Sequence, residues 1–263
     1  MQTKLIDFAK YSSLKIGTPL EVSLIQNQED ALYALSHHMQ LIGRANNLLI
    51  SPNAHHLALL DEPFSYIEDK QDYIEIGAAT LSSAIFRYFK THNLTGVEFL
   101  QALPGSLGGL IKMNAGMKTY EIAKALMSIN VNGEWQDTHT FPMAYRNSGI
   151  EGVILAARFH KRIGFNHALT QQCNALRKSH PKEPSCGSCF KNPKDDFAGR
   201  LLESVGLKGY GIGDAALSEK HANFLINKGK ARFDDALKLI DFAKKCVFEE
   251  SGIELECEVQ ILQ

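Results

Sequence analysis

The chain has no excess of positive charge. Lys and Arg number 28 against 29 Asp and Glu, a net charge of −1 over 263 residues. That removes the electrostatic footprint of a nucleic-acid or anionic-membrane binder. No apolar run approaches the ~18–20 residues that cross a bilayer. The N-terminal "MQTKLIDFAKYSS" carries charge throughout and lacks the apolar core of a secretory signal. Repeats and low-complexity stretches are missing too. Cysteine is scarce and odd in number: Cys173, Cys186, Cys189, Cys246 and Cys257. One thiol stays unpaired even if two disulfides form, so a reducing, cytoplasmic location is expected. The dinucleotide fingerprint G-x-G-x-x-G after a strand is also absent, which disfavours a Rossmann fold.

What remains is 44% hydrophobic and 22% charged, the composition of a soluble globular protein, long enough for one large domain or two ordinary ones. Strand signals lie at 18–26, 39–43, 47–51 and 72–78. Asn27 caps a helix over "QEDALYALSHHM", and Thr80 caps another that reaches about His92. "LPGSLGGLIKMNAG" suggests a helix from Pro104. Asn132-Gly133 marks a hairpin within "ALMSINVNGEWQDTHT", and "GVILAARFHKRI" is a further strand. The first 160 or so residues therefore read as α+β.

After a boundary near 162–166 the character changes. Residues 166–180 read as a helix, "PSCGSCFKNP" as a loop, and "DFAGRLLESVG" as a helix closed by Gly206. "ANFLINKG" is a strand, and "DDALKLIDFAKKCVFEESG" is a long helix ended by Gly252. The last run, "IELECEVQIL", alternates. Ile253, Leu255, Cys257, Val259 and Ile261 share one face; Glu254, Glu256, Glu258 and Gln260 share the other.

Three places invite chemistry. Cys186 and Cys189 stand in C-x-x-C spacing with Ser188 between them. A zinc site would need a second pair of soft ligands, and no metal is expected. A redox dithiol would precede a helix, which Pro193 obstructs. Small packing residues are the preferred reading of the thiols, and the hydroxyl is left open. In "LIGRANNLLIS", a small-residue turn between two strands can offer backbone amides to a phosphate. In "PGSLGG", Gly105, Gly108 and Gly109 each cost roughly 0.5–1 kcal/mol in or near a helix. Close backbone approach to a ligand or to another element would offset that.

The order "GRANN", "LPGSLGGLIKMNAG", "YRNS", "PSCGSCFKNP", "AGRLLESVGLKG", "KHANFLIN", "LECEV" resembles the UDP-N-acetylenolpyruvoylglucosamine reductases of peptidoglycan synthesis. The resemblance runs from about Ser12 to the C-terminus and is to the shorter class, which lacks an extra loop. It implies a non-Rossmann FAD-binding domain of two α+β subdomains over residues 1–163, followed by a smaller α/β substrate domain over 164–263. The last strand, 253–262, would return towards the flavin. It also implies FAD and NADPH as cofactors, and hydride transfer from reduced FAD to the methylene of an enolpyruvyl UDP-sugar, giving UDP-N-acetylmuramate. The partners are then small molecules, and the chain is expected to act as a monomer with FAD held non-covalently.

Residue by residue, the resemblance implies flavin contacts at Gly43, Arg44, Ala45, Asn46, Asn47, Gly105, Ser106, Gly109, Asn114 and Gly116. Substrate contacts fall at Tyr145, Lys191 and Asn192, and catalysis at Arg146, Ser188 and Glu258. Ser188 would protonate the carbon next to the carboxylate after hydride arrives. Arg146 would pair with the carboxylate and developing charge. Periodicity cannot separate Glu256 from Glu258; the family pattern favours Glu258. The sequence departs from that pattern at Ala45 and Asn46, where glycine and serine are usual, at Met117-Lys118, and at Gln260. The rival readings are another flavoenzyme on the same fold and a dithiol- or zinc-based interaction protein.

Overall fold

The computed structural model describes all 263 residues. They form two compact units. The first comprises Met1–Lys4, Val22–Gly43 and His56–Lys178; the second comprises Leu5–Glu21, Arg44–His55 and Ser179–Gln263.

In the first unit, a five-stranded antiparallel sheet runs in the order Glu134–Asp137, Leu126–Val131, Ile154–His160, Tyr73–Gly77, Ile67–Asp69. Asn132-Gly133 makes the predicted hairpin; both residues have positive φ, as the tight turn requires. One sheet face carries Ile74, Ile76, Ile129 and Phe159 into a core shared with Ile85 and Phe89 of the helix Ser82–Thr91. The helix His167–Arg177, capped by the Asn166 side chain, adds Leu169 and Cys173 to this core. A smaller parallel arrangement joins Pro19–Ile25, Leu57–Leu60 and Gln40–Leu41. Against it lies the helix Gln28–Ser36, whose first turn is capped by Asn27. Its buried Ala31 and Ala34 pack with Ile25, Ala58, Val153 and Leu155.

In the second unit, a four-stranded antiparallel sheet runs Ser185–Ser188, Phe224–Asn227, Ala215–Leu217, Gly211–Ile212. The helices Ala198–Ser204 and Phe233–Ser251 bury Leu201, Leu202, Leu239 and Ile240 with Leu217, Leu225, Cys186 and Cys189. Gly252, at φ 69°, closes the long helix in the left-handed conformation that glycine adopts without penalty. The strand Gln260–Leu262 pairs in parallel with Leu48–Ile50.

Several local expectations are corrected. The helix after Thr80 has Leu81 at its N-cap, because the Thr80 hydroxyl donates instead to the Tyr66 carbonyl at 3.0 Å. The helix expected from Pro104 begins at Leu107. Ser82 N–H donates to Gly105 O, and Ser106 bridges Leu81, so 105–106 are held extended. The "PSCGSCFKNP" loop contains the strand Ser185–Ser188. The alternating C-terminal run is a strand only over Gln260–Leu262, although its buried positions Leu255 and Val259 follow the predicted face.

Candidate active site

The turn between Leu41 and Leu48 is shaped by two left-handed residues, Gly43 at φ 47° and Ala45 at φ 48°. Ala45 occupies the position where the resembled family has glycine, and the methyl makes that conformation costly, by roughly 1–2 kcal/mol. The turn is nevertheless firmly held. Ser13 N–H donates to Ala45 O at 3.2 Å, and the Ser13 hydroxyl donates to Asn46 Oδ1. Asn47 Nδ2 donates to Glu258 O at 2.8 Å, and Gln260 N–H donates to Asn47 O at 3.0 Å. The Arg44 guanidinium lies 4.8 Å from the centre of the Tyr11 ring. Burial pushes the Tyr11 phenol up, against the pull of Arg44. These bonds leave the backbone N–H groups of Arg44, Ala45 and Asn46 without an acceptor in the protein.

In the first unit, Gly43 lies beside Ser106: a Cβ on Gly43 would stand 3.2 Å from Ser106 Oγ, and one on Gly109 would stand 3.9 Å from it. Ser106 is 6% exposed, yet its hydroxyl has no hydrogen-bond partner in the protein. Gly109 N–H is likewise unpaired. The Ser106 hydroxyl and these backbone donors, unpaired within the protein, are free to bond a ligand. Backbone amides and hydroxyls are suited to phosphate oxygens, so the 44–46 turn of the second unit and, separately, Ser106 with Gly109 of the first each fit part of the flavin dinucleotide expected from the sequence.

The other glycines of this stretch answer to packing. A Cβ on Gly108 would lie 3.2 Å from Ala78 Cβ, and Gly108 N–H donates to Ala78 O at 2.8 Å. A Cβ on Gly116 would fall 2.2 Å from Tyr120 O. Asn114 is fully buried, and its side chain is already used: Nδ2 donates to Ala144 O at 3.1 Å, and Oδ1 accepts from Ala123 N–H at 3.4 Å. It anchors the segment that carries Tyr145 and Arg146. Arg146 adopts φ 57°, lies 4.9 Å over the exposed Tyr145 ring and reaches Gly116 O at 3.4 Å, a weak bond.

In the second unit, the strand register shifts between Ser185 and Ser188 at Gly187, whose φ is 83°. The shift sends both Cys186 and Cys189 into the core, at 4% and 0% exposure, while Ser188 stays half-buried opposite Phe224. Burial pushes the Cys186 thiol up to about 12 and Cys189 well above its usual range. Both are protonated and unreactive at neutral pH. The Ser188 hydroxyl has no partner in the protein.

Next to it runs the C-terminal segment. Phe190 bridges Cys257, Lys191 N–H donates to Glu256 O at 2.8 Å, and Glu258 N–H donates to Cys189 O at 2.8 Å. The Ser188 and Glu258 segments are thus adjacent backbones. Glu256 is exposed and ion-paired with Lys191, whereas Glu258 is half-buried. Asn192 Oδ1 accepts from Ala198 N–H at 3.1 Å, so it holds the start of a helix.

Sequence reasoning missed Asn223 and Asn227. Asn223 grips Phe190 at both ends: Oδ1 accepts from Phe190 N–H at 2.9 Å, and Nδ2 donates to Phe190 O at 2.8 Å. Asn227 Nδ2 donates to Leu14 O and Lys15 O. The signal was there in "ANFLIN": two amides inside an apolar strand must be hydrogen-bonded.

The fold is of α+β architecture and not of the Rossmann type, and its unpaired donors suit a phosphate-bearing ligand. The family model described as UDP-N-acetylenolpyruvoylglucosamine reductase, C-terminal domain, matches residues 179–262. The UDP-N-acetylenolpyruvoylglucosamine reductase of Helicobacter hepaticus is 74% identical over the whole of both chains, and that of Helicobacter pylori strain J99 is 52% identical over 98% of each. A solved UDP-N-acetylenolpyruvylglucosamine reductase from Thermus caldophilus superposes with a TM-score of 0.87 at 29% identity over both full chains. The chain belongs to the UDP-N-acetylenolpyruvoylglucosamine reductase family.

Proposed function

We propose that the protein reduces the enolpyruvyl group of UDP-N-acetylglucosamine enolpyruvate to give UDP-N-acetylmuramate, using NADPH and non-covalent FAD. The family's reaction is the reductive step of peptidoglycan precursor synthesis. The observation that carries the reading is Ser188: a half-buried hydroxyl, unbonded within the protein, beside the backbone that bears Glu258.

Bound flavin supplies the hydride. The protein's residues do the rest. Arg44, Ala45, Asn46, Ser106 and Gly109 donate to the diphosphate, and Asn114 and Gly116 shape their segment from behind. Ser188 delivers a proton to the carbon next to the carboxylate. A serine hydroxyl is a weak acid, but an enolate is a strong base, and a positioned donor is sufficient. Glu258, acting as a neutral carboxylic acid, hydrogen-bonds or protonates the same enolate, and Arg146 pairs with the carboxylate, its charge being permanent. Lys191, held by Glu256, and Tyr145 contact the UDP-sugar. Residues 1–163 serve the flavin, apart from Tyr145 and Arg146, and 164–263 serve the substrate.

The test is the visible spectrum of purified protein. Oxidised flavin should bleach with NADPH and return when the enolpyruvyl sugar is added. A colourless protein, or flavin that is reduced by an alcohol rather than NADPH, overturns the reading.

A further inference from the structure

The first unit holds a concavity that the proposed reductase chemistry does not use. A cavity of about 300 Å³ lies on the face of the five-stranded sheet opposite its core, floored by Leu155 and Ala156. Its walls come from Gln26, Asn27 and Gln28 at the start of one helix, from Asn130 and Trp135 of the hairpin, and from Glu75. None of these belongs to the residues that hold flavin or substrate in the reading above.

The charge of this cavity is already cancelled. Glu75 Oε2 accepts from Arg158 Nε at 3.0 Å, and Oε1 accepts from the Tyr66 hydroxyl at 3.3 Å. The Arg158 guanidinium lies 3.8 Å over the Trp135 ring, closing one side of the indole, and does not itself line the cavity. With the carboxylate paired and the indole already facing a cation, the site attracts neither anions nor a second cation.

What remains are neutral polar groups with capacity to spare. Asn130 Oδ1 accepts from Gly133 N–H at 2.9 Å, which leaves its Nδ2 donor free. Gln28 Nε2 donates to Asn132 O at 3.2 Å and Gln26 Nε2 to Asp61 at 2.9 Å, which leaves both amide oxygens as acceptors. Trp135 Nε1 has no acceptor in the protein. Side-chain amides that donate and accept around an aromatic ring match a ligand whose rim alternates hydroxyl donors and acceptors and whose face is C–H.

We propose that this cavity binds the pyranose ring of a neutral saccharide, separately from the catalytic reaction. Trp135 packs against the C–H face of the ring, and Asn130, Gln26 and Gln28 bond its hydroxyls. The volume admits a single ring, so a monosaccharide or the terminal residue of a longer glycan fits.

Trp135 is the one tryptophan of the chain, so its emission reports this site alone. The flavin-loaded protein is titrated with glucose and with N-acetylglucosamine, with uridine and inorganic phosphate as comparison probes. A saturable emission change is expected with a neutral sugar. Asn130→Asp keeps the acceptor for Gly133 N–H and removes the free donor; Gln28→Ala removes an exposed acceptor and spares the fold if the first variant fails to fold. Each should weaken sugar binding tenfold or more, with flavin absorbance and NADPH-driven turnover unchanged. No saturable response to either sugar, a stronger response to uridine or phosphate, or a sugar response unaltered in the folded variants overturns the proposal.

Discussion

The stretches Leu103–Gly116 and Pro184–Pro193 both carry residues that stand out in the sequence, and they resolve in opposite ways. In the first, four glycines stand close together: Gly116 is glycine because Tyr120 O comes too near for a side chain, Gly108 is tight against Ala78, Gly105 has φ 145°, and Gly109 alone has neither reason. In the second, the conspicuous pair is inert: Cys186 and Cys189 are buried thiols, and the ordinary Ser188 between them is left unbonded. Residue type drew attention to both stretches, and in the second the thiols are packing residues of the core, as the sequence reading preferred. What sets Ser188 apart from its neighbours is an unfilled hydrogen-bonding capacity, because a folded chain satisfies nearly all of its own.

The largest expected effect tests the serine half of that contrast. Ser188→Ala should slow flavin reoxidation by the enolpyruvyl sugar roughly 10²–10⁴-fold, as for loss of a positioned acid, and leave NADPH reduction of the flavin nearly unchanged. Stopped-flow absorbance separates the two halves, and equal slowing would make Ser188 a structural residue.

The C-terminal acids should differ next. Glu258→Gln should cut the second half-reaction at least about a hundredfold; Glu256→Gln, whose carboxylate is exposed and paired with Lys191, should cost less than about tenfold. A reversed order would move the assignment by one strand repeat.

The glycine half is sharpened by two alanines. Gly116→Ala forces a methyl to 2.2 Å from Tyr120 O and should lower stability by about 1–3 kcal/mol in urea melts. Gly109→Ala meets no closer atom than 3.9 Å. It should leave the melt unchanged or raise it, since alanine favours the helix, while weakening FAD binding in a flavin-release assay. If the two alanines exchange effects, packing and ligand contact have been assigned to the wrong glycines.

The thiols predict a pH effect. Their folded-state pKa values are raised, Cys186 to about 12 against an ordinary value of 9.0, so above pH 9 the unfolded chain loses these protons and the folded chain keeps them. Stability therefore falls as pH rises from 9 towards 12. Denaturation midpoints of Cys186→Ala/Cys189→Ala should decline less over that window, with turnover within about tenfold of the parent at pH 7. The smallest effect concerns Ala45. Ala45→Gly relieves a left-handed φ of 48° and should raise stability by about 0.5–1 kcal/mol, seen as a shifted urea midpoint.

Much of this architecture was legible in the chain. Asn27 announced a helix start, Asn132-Gly133 a hairpin and Gly252 a helix end, because a cap or a tight turn is satisfied by residues within a few positions of one another. The features that were not legible depend on distant partners. Thr80 reads as a cap until Tyr66 offers its carbonyl. "PSCGSCFKNP" reads as a loop until Phe224–Asn227 pairs with it, and nothing nearby foretells Asn223 clasping Phe190.

The sequence by itself determined the family, the ordered motifs and the residue types available for phosphate binding and proton donation, since those are properties of short stretches. It also determined the inward face of the last segment, where Leu255 and Val259 are buried as their alternation requires. Only the tertiary structure decided which of those residues have unspent hydrogen bonds. It left Ser106 and Ser188 unpaired, spent Asn114 on two backbone groups, and tied Glu256 to Lys191 while holding Glu258 half-buried beside Cys189. The reason is physical: a side chain's reactivity is set by burial and by partners brought together over tens to hundreds of residues, and no local pattern encodes them.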